Sequence, residues 1–489
     1  IGMHAICSHQ LTTHQLNNPF REMCGIIGIK GQRVAKEIFV GLLALQHRGQ
    51  NSAGISTYDG ERFYTKKGNG LVSQVLSEDS LTRLRGGEGI GHVRYPTIGS
   101  GDGEDAQPFL TNSPFGIVMA HNGNVVNYFE LRNVLGEKRH LNSFCDLEVL
   151  LNIFADNLKR DPFEAAGAIM EITNGAYSVV STIAGLGLFA FRDPHAIRPL
   201  IFGKKGRDYI FVSESVVLQI LGYKVLKDLA PGEGILVDEN GKVTQRIIKE
   251  GNPSHCIFEY IYFARPESII DGISVYQARL ALGIELAKEI KKKGIKPNVV
   301  VPIPDTSRPQ AIAVAEELGV PYREGLIKNR YILRTFIMST EEERAKYIRY
   351  KLNPVINELK GKKVLLIDDS IVRGNTSRQI VQVVKTAGPK EIYFASSAPP
   401  IRNPCFYGID MQTRSELIAR KKSEEEIKAL LKADALVYQT LDGLKTAIGE
   451  KGFCRACFDG NYPTKIKEEE AMEIEKERTR LMKRKRYNL

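Results

Sequence analysis

The chain reads as two architectures in series, an α+β half followed by an α/β half. Between residues 299 and 396 apolar runs that suit buried strands alternate with helical stretches, the pattern of a parallel sheet with helices on both faces. In the first half short strands mix with helices without that regular alternation, which suits sheets covered by helices. The seam between the two is expected at the turn-forming triplet Gly251-Asn252-Pro253.

In the first half, strands are expected over residues 24–29, 54–58, 117–120 and 177–183, where short apolar runs end in turn residues. Helices are expected over 34–45, 128–135 and 147–158, where apolar residues recur at helical spacing. In the second half the order is strand 298–303, helix 309–318, strand 364–367, helix 377–387 and strand 391–395. Ligands of such a parallel sheet bind at the carboxyl ends of its strands. Two acidic turns, Pro304-Asp305-Thr306-Ser307 and Asp368-Asp369-Ser370, fall at such ends, so one site can recruit both.

The run VLLIDDSIVRGNTS at 364–377 carries the most information. Four apolar residues lead into Asp368 and Asp369, then into a Gly, Asn, Thr, Ser turn that opens a helix with Thr376 as N-cap and Gly388 as stop. Backbone N–H groups at a helix start attract phosphate, and the helix dipole favours negative charge there. Adjacent carboxylates repel a bare phosphate, so they suit a ribose diol or a Mg²⁺ carried by the ligand.

Composition bounds the answer. A chain of 489 residues, 43% apolar and 26% charged, suits a multidomain globular protein. It has no run approaching about 18 uninterrupted apolar residues, so no membrane span is expected. Residues 1–23 lack the basic and apolar regions of a secretory signal, and a cytoplasmic location is expected. The net charge of +11 raises nucleic acid as a partner, but the basic residues are dispersed apart from a terminal KRKR, and anionic substrates account for them; no nucleic-acid partner is expected. Seven cysteines in a large cytosolic chain point to reactivity or metal rather than disulfides.

Met23-Cys24-Gly25-Ile26-Ile27-Gly28, His47-Arg48-Gly49-Gln50-Asn51-Ser52-Ala53-Gly54, Gly91-His92-Val93-Arg94-Tyr95, Gln107-Pro108, His121-Asn122-Gly123-Asn124 and Asp146-Leu147-Glu148 resemble, in order, the motifs of glutamine amidotransferases with an N-terminal cysteine nucleophile. The resemblance implies an αββα sandwich, with the Cys24 thiolate attacking the glutamine side-chain amide while the free α-amine of the same residue moves the proton. It makes Arg94 the clamp for the glutamine carboxylate, Asp146 the acceptor for its amino group, and Asn122 and Gly123 the oxyanion donors. Arg48 and Gly49 fall at substrate-binding positions. Because the nitrogen of Cys24 is an amide in this sequence, the working protein is expected to begin at Cys24, with residues 1–23 an untranslated or cleaved leader.

The acidic run resembles the phosphoribosyl-pyrophosphate loop of type I phosphoribosyltransferases. Together with Val301-Pro302-Ile303-Pro304-Asp305-Thr306-Ser307, the stretch from Lys328 to Ile337, Arg349 and Lys351, it resembles the amidophosphoribosyltransferase family over nearly all of residues 24–463. This implies transfer of glutamine nitrogen to C1 of phosphoribosyl pyrophosphate, the first step of purine synthesis. By resemblance Thr306, Asp368 and Asp369 serve Mg²⁺ and ribose, and Ser370, Arg373, Gly374, Asn375, Thr376, Ser377 and Lys351 bind substrate. The loop from Lys328 through Tyr331 to Arg334 then folds over pyrophosphate. The loop becomes one end of an internal ammonia path.

Cys454-Arg455-Ala456-Cys457 has metal-type spacing but only two ligands. Cys256 and Cys405 would make four thiolates, which alone permit zinc or an iron–sulfur cluster. Their contexts, with residues 454–463 (CRACFDGNYP), resemble the iron–sulfur branch of the family and imply a structural [4Fe–4S] cluster. Cys7 and Cys145 are left over. The resemblance further implies a homotetramer inhibited by purine nucleotides. The domains expected are 24–250, glutaminase; 251–465, phosphoribosyltransferase with the cluster ligands; and 466–489, a charged helix or tail.

Three positions depart from the family's usual residues: Asn375, Pro96 and Cys145. Two rivals stand beside this reading. A nucleotide-sensing DNA-binding regulator predicts loss of the glutaminase residues, which are present. Another glutamine-dependent enzyme sharing only the front half leaves the phosphoribosyl loop without a role.

Overall fold

The computed structural model describes residues 23–95, 103–329, 352–409, 411 and 413–487. Its first half is built on two stacked antiparallel sheets. The seven-stranded sheet runs, in spatial order, Lys224–Asp228, Ile201–Lys205, Asp208–Val212, Gly25–Lys30, Glu88–Arg94, Ser52–Tyr58 and Phe63–Asn69. The six-stranded sheet runs Val243–Ile247, Glu233–Asp238, Gly187–Arg192, Gly175–Ile183, Ile117–Val125 and Phe109–Thr111.

Side chains alternate across a strand, and Gly25–Lys30 uses that period. Ile26 joins Ile90, Val118, Val180 and Phe211 between the sheets, whereas Ile27 and Ile29 pack under the helix Val34–Ala44. The outer face of the second sheet, with Met119, Tyr177, Val179 and Phe189, is covered by the helices Asp146–Asn157 and Pro162–Ile172. The result is the expected αββα layering.

The second half holds a parallel sheet in the order Val299–Pro302, Lys363–Asp368, Glu391–Ser396 and Ala435–Tyr438. Val301, Leu366 and Phe394 face one side with the helix Asn375–Lys385; Val300, Leu365 and Ala395 face the other with Leu286, Ile290 and Val314. Burial on both faces explains why these strands read as continuous apolar runs. The helix begins at Asn375 after Gly374, not at Ser377 after a Thr376 cap, and ends at Lys385. Gly374 supplies the left-handed turn that a threonine side chain was expected to replace.

A further apolar cluster spans the seam. It joins Met23, Val126 and Ala176 from the first half to Phe258, Ile261, Phe406, Tyr407 and Phe458 from the second. The charged C-terminal stretch is a helix, Glu468–Tyr487. No helix among the described residues is long and apolar enough to cross a membrane.

Candidate active sites and a four-cysteine cavity

Cys24 directly precedes the strand Gly25–Lys30, whose partner in register sets Gly25 opposite Val93, so Arg94 lies beside the cysteine. The thiol is 7% exposed and donates to the Tyr95 carbonyl at 3.7 Å. Burial pushes the thiol up and the Arg94 charge opposes that, with a net rise, so the thiol is protonated at neutral pH and needs a base.

Arg94 is buried and lies 3.8 Å from Asp105. Gly49 sits against its backbone so closely that a Cβ would stand 2.6 Å from the Arg94 nitrogen, which excludes any side chain at 49. Arg48 does not project toward open space. Its Nε donates to the Cys24 carbonyl at 3.0 Å, and its terminal nitrogens donate to Glu214 and Glu259.

Asn122 and Gly123 lie inside the strand Ile117–Val125, which runs five residues beyond its expected end. The Asn122 amide nitrogen is buried with no hydrogen-bond partner among the described residues. An orphaned buried donor carries a desolvation penalty unless a ligand accepts from it. Gly123 has φ +157, and a Cβ there would stand 1.9 Å from the Ala176 carbonyl oxygen.

Asp146 opens the helix Asp146–Asn157, where its charge suits the dipole. Its Oδ2 accepts from the Val125 N–H at 2.9 Å and meets His121 Nε2 at 3.3 Å. Burial pushes its carboxyl up, but His121 and the Val125 bond outweigh that and hold it below the ordinary carboxylate value. Gln107 brackets His121, its Oε1 accepting from the His121 N–H at 2.8 Å and its Nε2 meeting Nδ1 at 2.9 Å. An amide nitrogen only donates, so Nδ1 accepts and the proton sits on Nε2, facing Asp146. His121 and Gln107 belong to motifs visible in the sequence, but their supporting part was not.

In the second half, Pro302 pairs with Ile367, and the Ile303 N–H donates to the Ile367 carbonyl at 2.8 Å. The turns after both strands therefore sit side by side. Asp368 is buried and its Oδ1 accepts from the Asp369 N–H at 2.9 Å; Ser370 Oγ donates to Asp369. In the neighbouring turn, beside Thr306, Asp305 accepts from Arg308 at 2.7 Å and from Lys328 at 2.8 Å. Carboxylate and hydroxyl oxygens at two adjoining strand ends are donors of the kind Mg²⁺ takes. Asn375, Thr376 and Ser377 form the first helical turn, whose N–H groups have no intrahelical acceptor. Arg373 lies 3.1 Å from Glu416. Tyr331, Arg334 and Lys351, like Pro96, lie outside the described residues.

Cys256, Cys405, Cys454 and Cys457 line one small cavity. Cys256 and Cys454 are brought level by a short parallel pairing. Among the described residues no three His, Cys, Asp or Glu side chains form a group able to hold a metal ion. The four thiols instead surround a volume, and the buried guanidinium of Arg198 also lines it. Burial pushes the Cys256 thiol up to about 11, so a group bound through thiolates must displace protons. Four soft donors thus line this cavity with a cation at its wall.

Comparison with known proteins gives two family matches, a glutamine amidotransferase domain over residues 93–219 and a phosphoribosyl transferase domain over 272–405. The amidophosphoribosyltransferases of Pseudomonas aeruginosa and Escherichia coli are each 47% identical to the chain, covering 90% and 91% of it and 93% of their own lengths. The solved glutamine phosphoribosylpyrophosphate amidotransferase of Bacillus subtilis, complexed with ADP and GMP, superposes with a TM-score of 0.85 at 38% identity, over 91% of this chain and 98% of that one. Two catalytic architectures in this order, matched at this identity over nine-tenths of the length, show that the chain belongs to the amidophosphoribosyltransferase family.

Proposed function

We propose that Cys24 takes ammonia from glutamine and that the acidic loop at 368–377 delivers C1 of phosphoribosyl pyrophosphate to it, giving phosphoribosylamine, glutamate and pyrophosphate, the first step of purine synthesis. The observation that carries this reading is the gathering of separate segments at one buried thiol: strand register sets Arg94 beside Cys24, and Arg48 donates to the Cys24 carbonyl at 3.0 Å.

In this reading Arg94 receives the glutamine carboxylate and Asp146 its amino group. Cys24 Sγ attacks the amide carbon, and the thiol proton passes through the Cys24 α-amine to the departing ammonia. That step needs an enzyme beginning at Cys24. The Asn122 side-chain amide and the Gly123 N–H receive the oxyanion, and water then releases glutamate. Arg48 and Gly49 act as supports, one holding the Cys24 carbonyl and the other letting the Arg94 backbone come close.

At the second site ammonia attacks C1 as pyrophosphate leaves. Thr306, Asp368 and Asp369 would hold Mg²⁺, which offsets charge on the leaving group. Ser370, Arg373 and the first turn at Gly374, Asn375, Thr376 and Ser377 receive the 5-phosphate, while Lys328, with Tyr331, Arg334 and Lys351, closes on pyrophosphate. Cys256, Cys405, Cys454 and Cys457 would hold a [4Fe–4S] cluster whose contribution is structural, since the transfer moves no electrons. A cytoplasmic homotetramer under purine-nucleotide feedback belongs to the same reading, with the ADP and GMP of the Bacillus relative in its support.

The experiment is glutamate release from glutamine, measured with and without phosphoribosyl pyrophosphate and Mg²⁺. Coupled sites give faster release when the second substrate is present. Equal release in both conditions overturns the coupling.

A further inference from the structure

At the seam, Arg48 spends every nitrogen of its guanidinium on partners that differ in origin. Nε donates to the Cys24 carbonyl at 3.0 Å, Nη1 to Glu214 at 2.6 Å and to Glu259 at 3.0 Å, and Nη2 to Glu259 at 2.7 Å. Glu214 belongs to the same half as Cys24, and its charge alone would neutralise Arg48. Glu259 comes from the other half and grips both terminal nitrogens with both carboxylate oxygens. That two-point contact fixes the plane of the guanidinium, and with it the direction of the Nε–H bond toward Cys24.

Glu259 is itself held. It heads the π-helical turn Glu259–Phe263 and lies 3.7 Å from Arg198, whose Nε donates to the Tyr407 carbonyl at 2.7 Å. Arg279 closes the far end, donating to the Tyr260, Tyr262 and Ala264 carbonyls at 2.9, 2.9 and 2.7 Å. Arg48, Arg198 and Arg279 are all fully buried, so the arrangement is shielded from screening by solvent.

We propose that Glu259 is a positioning residue for glutamine hydrolysis, holding the Cys24 backbone through Arg48 from across the seam. The proposal rests on Cys24 being the nucleophile. A displacement of about 1 Å at a reacting group lowers a rate by about 100-fold, which sets the scale of the effect.

The test uses the full chain carrying Glu259→Gln or Glu259→Asp, with Cys24→Ala in parallel. Phosphoribosylamine formation is followed with glutamine and, separately, with ammonium salts. For Glu259→Gln the expected result is a fall of about 10- to 100-fold in kcat with glutamine, a KM for glutamine within about twofold, and an ammonia-dependent rate within about twofold. Glu259→Asp, which keeps the charge, recovers part of the loss. An unchanged kcat with glutamine overturns the proposal. So does an equal loss from both nitrogen sources, including loss through failure to fold, since that assigns Glu259 to fold stability alone. Glutamine use that survives Cys24→Ala removes the nucleophile reading itself, a separate outcome.

Discussion

The two active sites of this chain are built on opposite plans. The glutaminase residues lie within or against antiparallel strands and are buried, with Arg94 and Asp146 each 3% exposed. The phosphoribosyl residues gather at the carboxyl ends of parallel strands, where Asp368 is buried but the Asp305 and Lys328 side chains are 51% and 42% exposed. The difference follows from what each must handle. A thiol that has to be deprotonated and reformed needs a dry site with fixed neighbours. A highly charged sugar phosphate arrives with its own water and cation, and is met by a helix start and cationic side chains that can move onto it.

The largest effect that would sharpen this contrast comes from Cys24→Ala. Glutamine-dependent transfer is expected to fall by at least about 10³-fold while ammonia-dependent transfer stays within about twofold. Parallel losses would break the separation of sites. Next, Asp368→Asn is expected to lower transfer from both nitrogen sources together, by about 10²-fold, through the weakened cation site. A loss confined to glutamine would move Asp368 out of the second site.

The effect on activity gives way last to one on stability, which isolates the buried plan. Burial pushes Glu214 up, but His47 and Arg48 outweigh that and hold its carboxyl well below the usual glutamate value of about 4.5. A depressed carboxylate contributes stability that is present above pH 4.5 and is lost as the pH falls below it. Glu214→Gln is therefore expected to lower unfolding free energy at pH 7 by about 3 kcal/mol, by leaving Arg48 with one buried partner fewer. In denaturant titrations at several pH values that gap should narrow below pH 4.5. A gap that stays constant with pH would sink the assignment.

The parts of the molecule legible in the sequence were those with a short-range signature. The strand at residues 25–30 and the helix at 34–44 follow from periodicity, and the acidic turns mark strand ends in the parallel sheet. Cys24, Arg94, Asn122 and Asp146 could be named from motif order, and the four cysteines from their contexts. The supports could not. Arg48 reaches Glu214 over 166 residues and Glu259 over 211, and no local pattern encodes an ion pair at that range. The helix start was misplaced because Gly374, with its left-handed backbone, competes with a hydroxyl cap and wins.

One contact already described at the seam has a wider consequence. Arg198 spends two of its donors on the Tyr407 carbonyl, and next to it Asn124 donates to the Phe406 carbonyl at 2.9 Å, only two residues after Asn122. Cutting the chain between the halves would strip these buried donors of their acceptors and open the apolar cluster around Phe258 and Phe406 to water. The halves are therefore not interchangeable modules. They should melt in one cooperative transition, and a glutaminase of this kind cannot be borrowed as a free-standing part.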